Sequence, residues 1–483
     1  RREFVTLSSA RAVAPTRNRV SHWLGSYRRE WLRSDLVAGL SLAAYAIPGS
    51  LAYASLAGVP PQAGLYGYLL GGLGYAAIGS SRQLAVGPTS AISMLVAATL
   101  APLAAGDPAR HASLAALTAL LVGAVAFAAW LFRFGGIAAF VSEPVLAGFK
   151  LGAGLVIASS QLPKLFGIHS GGANFFERVA NLATHLGDAH GASLAVGAGA
   201  LALLAAGERW IPNRPVVLIV VALSIAASAF LGLAERGVVC VGALPEGLPA
   251  LGLHGVRRGD GAELLPLAIA CFLLAYVEGS STARSFALAH RTRIDANREL
   301  LGLGLANVLA GLGQGFPVAG GMSQSAVNDK AGARTPLALV AASAAIAGVL
   351  LFLTGAFRSL PEPVLAALVL MAVAGLVEVA PLREIRRVDR VEFRAALVAV
   401  LGVLVFGILQ GVLLASIFSL AMLLRRAASP RIAEMGRIRG TERFGDLERH
   451  ADAERVPGVL VLGVYSALLY FNAENARSEV LHR

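Results

Sequence analysis

The chain has 483 residues, of which 56% are hydrophobic and 14% charged, and 54 are glycine. So little charge cannot cover the surface of a soluble protein of this length, whereas a protein facing lipid needs no such cover, and small residues let membrane helices approach closely. The formal net charge of +12 lies mostly at the ends and in short loops between apolar runs, a pattern of orientation signals and contacts with acidic lipid headgroups rather than of nucleic-acid binding.

The two cysteines, Cys240 and Cys271, leave no room for a disulfide framework or a cysteine metal site. The histidines are scattered, with no HxxxH pair in an apolar run. Neither a cofactor nor a structural metal is expected.

In chain order, residues 1–35 form a basic arm carrying Arg1, Arg2, Arg11, Arg17, Arg19, Arg28, Arg29 and Arg33. No signal-peptide pattern opens it, and a start at Arg1 without Met reads as a trimmed chain. Apolar runs follow at 36–57, 62–79, 84–104, 111–132, 136–160, 192–207, 214–233, 264–282, 299–313, 314–332, 336–356, 361–379, 393–408 and 410–424. That makes about fourteen crossings, where an ordinary one needs roughly 20 residues. The last two runs are short. With the arm in the cytoplasm and the runs alternating, Lys and Arg concentrate in the inside loops, at Arg82, Arg133, Arg209, Arg214, Arg284, Arg291, Arg293, Arg298, Lys330, Arg334, Arg383, Arg386, Arg387, Arg390 and Arg394. The outside loops hold fewer: Arg110, Lys164, Arg178, Arg236, Arg257, Arg258 and Arg358. The asymmetry favours an even number of crossings, a multi-pass protein of a bacterial inner or plasma membrane, and both termini in the cytoplasm.

Two outside loops are long, 161–191 and 234–263. Phe175, Phe176, Val179, Leu182 and Leu186 in the first are spaced as the apolar stripe of a helix lying on the membrane surface. Beyond 426 the composition changes. Residues 427–456 read as a charged linker, Val459-Leu460-Val461-Leu462 as a buried strand, and Asn472 to His482 as the start of a helix. The chain divides into the arm, a first transmembrane half at 36–233, an extracytoplasmic loop at 234–263, a second half at 264–426, the linker at 427–456, and the start of a soluble α/β domain at 457–483.

Two runs look interrupted. One is LAVGPTSAIS, from Leu84 to Ser93, and the other is GFPVAGGMSQS, from Gly315 to Ser325. Each has a short extended piece, then Gly or Pro, then hydroxyl residues at a helix start. They fall in the third and tenth runs, the arrangement of an inverted seven-plus-seven repeat with paired broken helices. A half-helix beginning at the membrane midplane presents unpaired N–H groups and a partial positive charge, and two facing each other make an anion site. Thr89, Ser90, Ser323 and Ser325 are placed to add hydroxyl donors.

The run LRSDLVAGLSLAAYAIPGSLAYASLAGVPPQAGLYG, the following GSSRQLAVGPTSAIS, the stretches SEPVLAGFKLG near 142–152 and PVAGGMSQSAVN at 317–328, and the tail PGVLVLGVYSALLYFNAENARSEV together resemble the sulfate permease (SulP) family of anion transporters. The likeness covers nearly the whole chain. It implies an all-α polytopic membrane protein of fourteen transmembrane segments, with segments 1–4 and 8–11 forming a core and 5–7 and 12–14 a gate. It also implies elevator-like movement, a homodimer, and a cytoplasmic STAS domain that begins in the tail. The site would lie between the third and tenth segments, flanked by the first and eighth. In this chain those positions are Thr89, Ser90, Gly321, Ser323, Gln324 and Ser325, with Gly49, Ser50, Tyr53 and Phe316 beside them. Family substrates include sulfate, bicarbonate, chloride and dicarboxylates.

Two positions depart from the family pattern. Gly49 stands where many members carry a polar side chain, often Gln, which enlarges the pocket. Gln324 stands where many animal and plant members carry Arg, so a fixed positive charge is absent.

Glu278 is a carboxylate inside the eighth run, expensive there and functional by default. The family places a coupling carboxylate at this position. Beside an anion its charge needs neutralising by H+ or Na+, and Thr282 with backbone carbonyls completes an oxygen shell for Na+. Cation-coupled symport of a small oxyanion, sulfate or bicarbonate foremost, is therefore expected. Lys150 is assigned to a pair with Glu143 or a lipid phosphate, and Tyr45 and Tyr53 to the pocket wall or to packing. An exchanger or channel of the same family, and a proton-coupled nucleobase transporter of the same fold, are the competing readings. An enzyme would need a nucleophile–base pair or a metal cluster, and no such set is visible.

Overall fold

The computed structural model of the chain describes Trp23, Gly25 and most residues from Tyr27 to His482. Outside the described residues lie 1–22, 24, 26, 136–142, 169–170, 173, 212–215, 254, 376, 408–409, 412–413, 415–416, 419–420, 423–427, 429–430, 466–467, 469–471 and 483. Most of the expected arm, the start of the fifth run and much of the fourteenth run are therefore outside them.

Helices α1 (Leu32–Ala57) and α2 (Pro61–Ile78) open the bundle. A two-residue strand β1 (Val86–Gly87) leads into α3 (Ser90–Ala104), followed by α4 (Pro108–Leu131), α5 (Glu143–Phe166), α6 (Phe175–Thr184), α7 (Gly191–Trp210) and α8 (Val216–Leu231). The second half holds α9 (Asp260–Ala289), α10 (Ala296–Leu312), strand β2 (Ala319–Gly320), α11 (Met322–Lys330), α12 (Leu337–Phe352), α13 (Glu362–Ala374), α14 (Ala380–Val388) and α15 (Arg390–Phe406). Every apolar run up to 393–408 contains one of these helices. The helices α6 and α14 lie between runs.

Local chemistry sets the ends. Asp107 accepts from the N–H groups of Ala109 and Arg110 to start α4, and Asp295 does the same for Asn297 and Arg298 at α10. Pro61 opens α2, where its missing N–H costs nothing. Gly58, at φ 74°, ends α1 by turning its N–H back onto the carbonyls of Ala54 and Ser55.

Among the described residues, five helical stretches are long and apolar enough alone to cross a membrane: 29–57, 108–131, 144–166, 191–210 and 260–289. The broken segments reach across differently. The nine residues of α11 rise only about 14 Å. The extended run 315–321 before it adds roughly 3.3 Å per residue, enough together for a hydrocarbon core of about 30 Å.

The helices sort into two groups by contact. In one, α10 packs on α4 and α2, α1 on α12 and α2, and α4 on α9. In the other, α5 packs on α15 and α13, and α13 on α7. Glycines permit the closest crossings. A Cβ on Gly64 of α2 would stand 2.0 Å from the Ser50 carbonyl of α1, and one on Gly148 of α5 would stand 2.1 Å from that of Ala396 in α15.

Three buried carboxylates tie the first group together. Asp35, in the first turn of α1 and fully buried, accepts from the N–H groups of Arg334 (2.7 Å) and Thr335 (3.0 Å) and from the Thr335 hydroxyl (2.6 Å), just before α12. Asp260, at the start of α9, takes both terminal nitrogens of Arg110 on α4, at 2.7 and 2.6 Å, and the Arg257 N–H at 2.7 Å. Asp35 thus ties α1 to the approach of α12, and Asp260 ties α9 to α4. Glu299 of α10 accepts from Tyr75, from the backbone and hydroxyl of Ser80, and from the Ser81 N–H.

The tail corrects one expectation. Residues 427–456 read as a linker, yet β3 (Ile432–Ile438), β4 (Phe444–Asp446) and β5 (Ala453–Glu454) lie within them, and β3 pairs with both others and with β6 (Leu462–Val464), all antiparallel. The charges that suggested a linker stand on strand edges, where Arg439 pairs with Glu454 and Arg455 with Glu434. The expected buried strand also shifts: Val459 and Leu460 precede β6 and are 59% and 50% exposed. A helix at Ala473–His482 closes the chain.

Candidate functional site at the paired broken helices

The two interrupted segments meet. β1 and β2 pair antiparallel, Val86 with Gly320 and Gly87 with Ala319. The Gly321 N–H adds a bond to the Ala85 carbonyl at 3.2 Å. Within three residues of this ribbon, α3 begins at Ser90 and α11 at Met322. Thr89 caps α3 in extended conformation but makes no side-chain cap bond, and Gly321 has no side chain to cap α11. The first-turn N–H groups of both helices are thus left for another partner, with the positive ends of two helix dipoles beside one ribbon.

Asn307 of α10 holds the second segment extended. Its amide donates to the Val318 carbonyl at 3.1 Å and accepts from the Val318 N–H at 3.0 Å. Asn328 of α11 donates to the Gln83 carbonyl at 3.1 Å, fixing the first segment. Neither residue was singled out from the sequence. Their signal was present as amides within apolar runs, where an unsatisfied backbone needs them.

Several buried polar atoms at the junction have no partner among the described residues. They are the hydroxyls of Thr89 and Tyr68, one oxygen of Glu278, and the side-chain oxygens of Gln324 and Asn328. Gln324 donates its amide to the Pro88 carbonyl at 2.8 Å, which ties α11 to the first segment and points the orphan oxygen elsewhere. Buried groups of this kind are rare in a finished core and mark a place for water, an ion or a ligand.

The other expected site residues fall into three sets. Ser90, Ser323 and Tyr53 stand near the ribbon: Ser90 opens α3, Ser323 lies beside the Tyr45 side chain, and Tyr53 is within electrostatic reach of Tyr45 and Glu278. Among the described residues, a Cβ at Gly49 would meet only the Tyr53 ring, at 3.9 Å, so the position is open on that side. Ser50 is buried, with its carbonyl against Gly64. The third set serves the scaffold. The Ser325 hydroxyl accepts from the Ala85 N–H at 2.9 Å and donates to the Gly321 carbonyl at 2.7 Å, so its donor is already used. Phe316 is fully buried, its backbone alongside Gly67 of α2. Tyr68, not among the expected site residues, sits against Gly87, its hydroxyl without a partner among the described residues.

Glu278 is brought to the ribbon by a glycine contact. Gly279 of α9 lies against Gly320, so close that a Cβ on Gly320 would stand 3.0 Å from the Gly279 Cα. Thr282, buried, is one turn further along the same face. Lys150 of α5 lies within electrostatic reach of the Glu278 carboxylate. The pair expected with Glu143 lies outside the described side chains. Among the described residues no three His, Cys, Asp or Glu side chains gather to hold a metal.

The profile of the Sulfate permease family matches residues 32–399. The chain belongs to the sulfate permease family. A probable sulfate transporter of Mycobacterium tuberculosis is 38% identical over 455 residues, covering 94% of this chain and 81% of that one. Sulfate transporter 4.1, chloroplastic, of Arabidopsis thaliana is 32% identical over 477 residues, covering 93% of this chain and 67% of its own. Among solved structures, SLC26A9 superposes with a TM-score of 0.86 at 22% identity, covering 95% of this chain and 76% of its own. The transmembrane domain of the cyanobacterial bicarbonate transporter BicA superposes with a TM-score of 0.70 at 23% identity, covering 81% of this chain and 98% of its own. The sulfate permease chain described here is an integral membrane transporter of anions and not an enzyme.

Proposed function

We propose that this sulfate permease is a secondary active transporter of a small oxyanion, sulfate or bicarbonate, driven by H+ or Na+ through Glu278. The anion binds between the N-termini of α3 and α11, with Thr89, Ser90 and Ser323 as hydroxyl donors and the Tyr45, Tyr53 and Tyr68 rings around it. The observation that carries this reading is the β1–β2 ribbon with its two uncapped helix starts. It is an anion site built from backbone, which suits a chain that has Gln324 rather than Arg at this place. The names of the Mycobacterium and Arabidopsis relatives favour sulfate, and that of the cyanobacterial neighbour favours bicarbonate.

Glu278 would repel the anion while charged, so a proton, or Na+ held with Thr282, enters with the substrate. The transmembrane part has fourteen segments in two inverted halves. The group α1–α4 with α9–α12 moves as an elevator against α5, α7, α8, α13 and α15. The chain works as a homodimer with both termini cytoplasmic, and the tail strands begin a STAS domain.

Exchange is the second reading, and Lys150 favours it. Its ammonium, within electrostatic reach of Glu278, offsets part of the carboxylate charge without an ion from solution. Proteoliposomes decide between the two. Radiolabelled sulfate, bicarbonate and fumarate are offered in parallel, each with an imposed Na+ or pH gradient. Uptake of one anion that follows a cation gradient and is lost in Glu278→Gln supports symport and names the substrate. Uptake indifferent to both gradients but dependent on internal anion establishes exchange instead.

A further inference from the structure

The face that the basic loops assign to the cytoplasm carries a second concentration of positive charge, far in sequence from the anion site. α14 is a short helix between the apolar helices α13 and α15. It turns Leu382 and Ile385 inward and sets Arg383, Arg386 and Arg387 outward. Asp389, in extended conformation, breaks the chain before α15, and its carboxylate accepts from the Glu392 N–H at 3.3 Å. The elbow brings Arg390 and Arg394 of α15 round to face the three arginines of α14. The result is a cleft of about 1010 Å³ lined by Arg383, Arg386, Arg387, Arg390 and Arg394, with Val388 and Phe393.

We propose that this cleft holds the headgroup of an anionic phospholipid of the adjoining leaflet. Five guanidinium groups, each able to grip a phosphate with paired N–H donors, converge on one cavity. The acids of the same segment, Glu384, Asp389 and Glu392, are fewer, and Asp389 is already engaged in capping α15. The two apolar walls choose between a lipid and a soluble anion. Val388 is 81% exposed, and the Phe393 ring lies under the Arg386 guanidinium at 5.8 Å. A free phosphate has no use for them, whereas a phospholipid presents a charged phosphate and an apolar neck together. The location agrees, because an amphipathic helix between two spanning helices lies at the headgroup level. A bound lipid here would brace α14 against α15 and α5, the helices it touches.

The test uses the full chain. Phospholipids retained after purification in mild detergent are counted by native mass spectrometry. Thermal unfolding is then followed with phosphatidylcholine vesicles, with vesicles also containing phosphatidylglycerol, and with inorganic phosphate alone. Retained anionic lipid, and protection by phosphatidylglycerol vesicles only, are expected. Arg386→Gln/Arg387→Gln/Arg390→Gln should bind that lipid about a hundredfold more weakly, since each basic group contributes to anchoring at an anionic surface. Arg257→Gln/Arg258→Gln, on the other face, should leave it unchanged and so controls for net charge. Equal protection by phosphate alone overturns the lipid and leaves a soluble-anion site. Unchanged lipid retention in the triple variant, with the β3–β6 sheet newly open to protease, overturns it in favour of a protein-docking surface.

Discussion

At the scale of single residues, Glu278 and Gly49 each make a prediction that separates transport from stability. Glu278 has a buried oxygen without a partner among the described residues, so removing its charge takes away a desolvation cost rather than a bond. Glu278→Gln should unfold at the same temperature as the parent or higher, while cation-driven uptake disappears. A variant that unfolds early and keeps its uptake would make the carboxylate structural. Gly49→Gln places a polar side chain in the open space beside α1. Among the described residues its Cβ meets only the Tyr53 ring, and relief of glycine in a helix is worth roughly 0.5–1 kcal/mol. The variant should therefore be no less stable, and its change should appear in the concentration dependence of uptake.

Much of this site was legible. A carboxylate, an Ile-Pro-Gly step and two clusters of Gly, Pro and Ser inside apolar runs each violate what a plain spanning helix needs. The role of Ser325 was not legible, because a hydroxyl at a helix start looks the same whether it awaits a ligand or bonds Ala85. Asp35 was hidden differently. It stands in the quoted opening signature, but a lone acid near a helix start reads as a favourable charge on the dipole. Only the fold reveals the N–H groups of Arg334 and Thr335 converging on it from about three hundred residues away. Asp35→Ala strands those donors inside the protein, and a loss of about 3 kcal/mol is expected from their charge-assisted bonds. A much smaller fall in unfolding temperature than the Gly148 variant below would contradict that role.

Among the elements, the spanning helices were readable because each has to satisfy its own backbone in lipid, which leaves long apolar runs as the trace. The strands β3 to β5 were not, since short polar strands held by cross-strand ion pairs share their composition with a linker. Helix contacts were equally invisible: composition supplies many glycines and does not say which face a neighbour. The structure separates them. Gly148 meets the Ala396 carbonyl, while Gly199 of α7 has nothing near its Cβ position among the described residues. Gly148→Ala should destabilise by about 1–3 kcal/mol, the usual cost of overpacking, and loosen α5 from α15. Gly199→Ala should be neutral or stabilising. Unfolding midpoints in detergent compare the two directly, and equal midpoints would mean that the α5–α15 crossing yields easily.

For the whole molecule, transport by an elevator requires the two helix groups to slide, and their contacts say where that can be stopped. Lys164 near the end of α5 reaches the Ser55 carbonyl near the end of α1 at 3.5 Å, linking one group to the other at the face opposite the α14 arginines. The two native cysteines are free, Cys271 buried and Cys240 half-buried, so both can be replaced to leave a background without thiols. With Ser55→Cys and Lys164→Cys introduced there, a short bifunctional thiol reagent should join α1 to α5 and halt uptake. Each single-cysteine chain treated alike should keep transporting, and a cleavable reagent should return activity when it is cut. If the joined chain carries its anion at the parent rate, α1 and α5 do not separate in the cycle. Motion would then be confined within the first group, and the orphan oxygens around Glu278, rather than the interface between groups, would be where the alternation of access takes place.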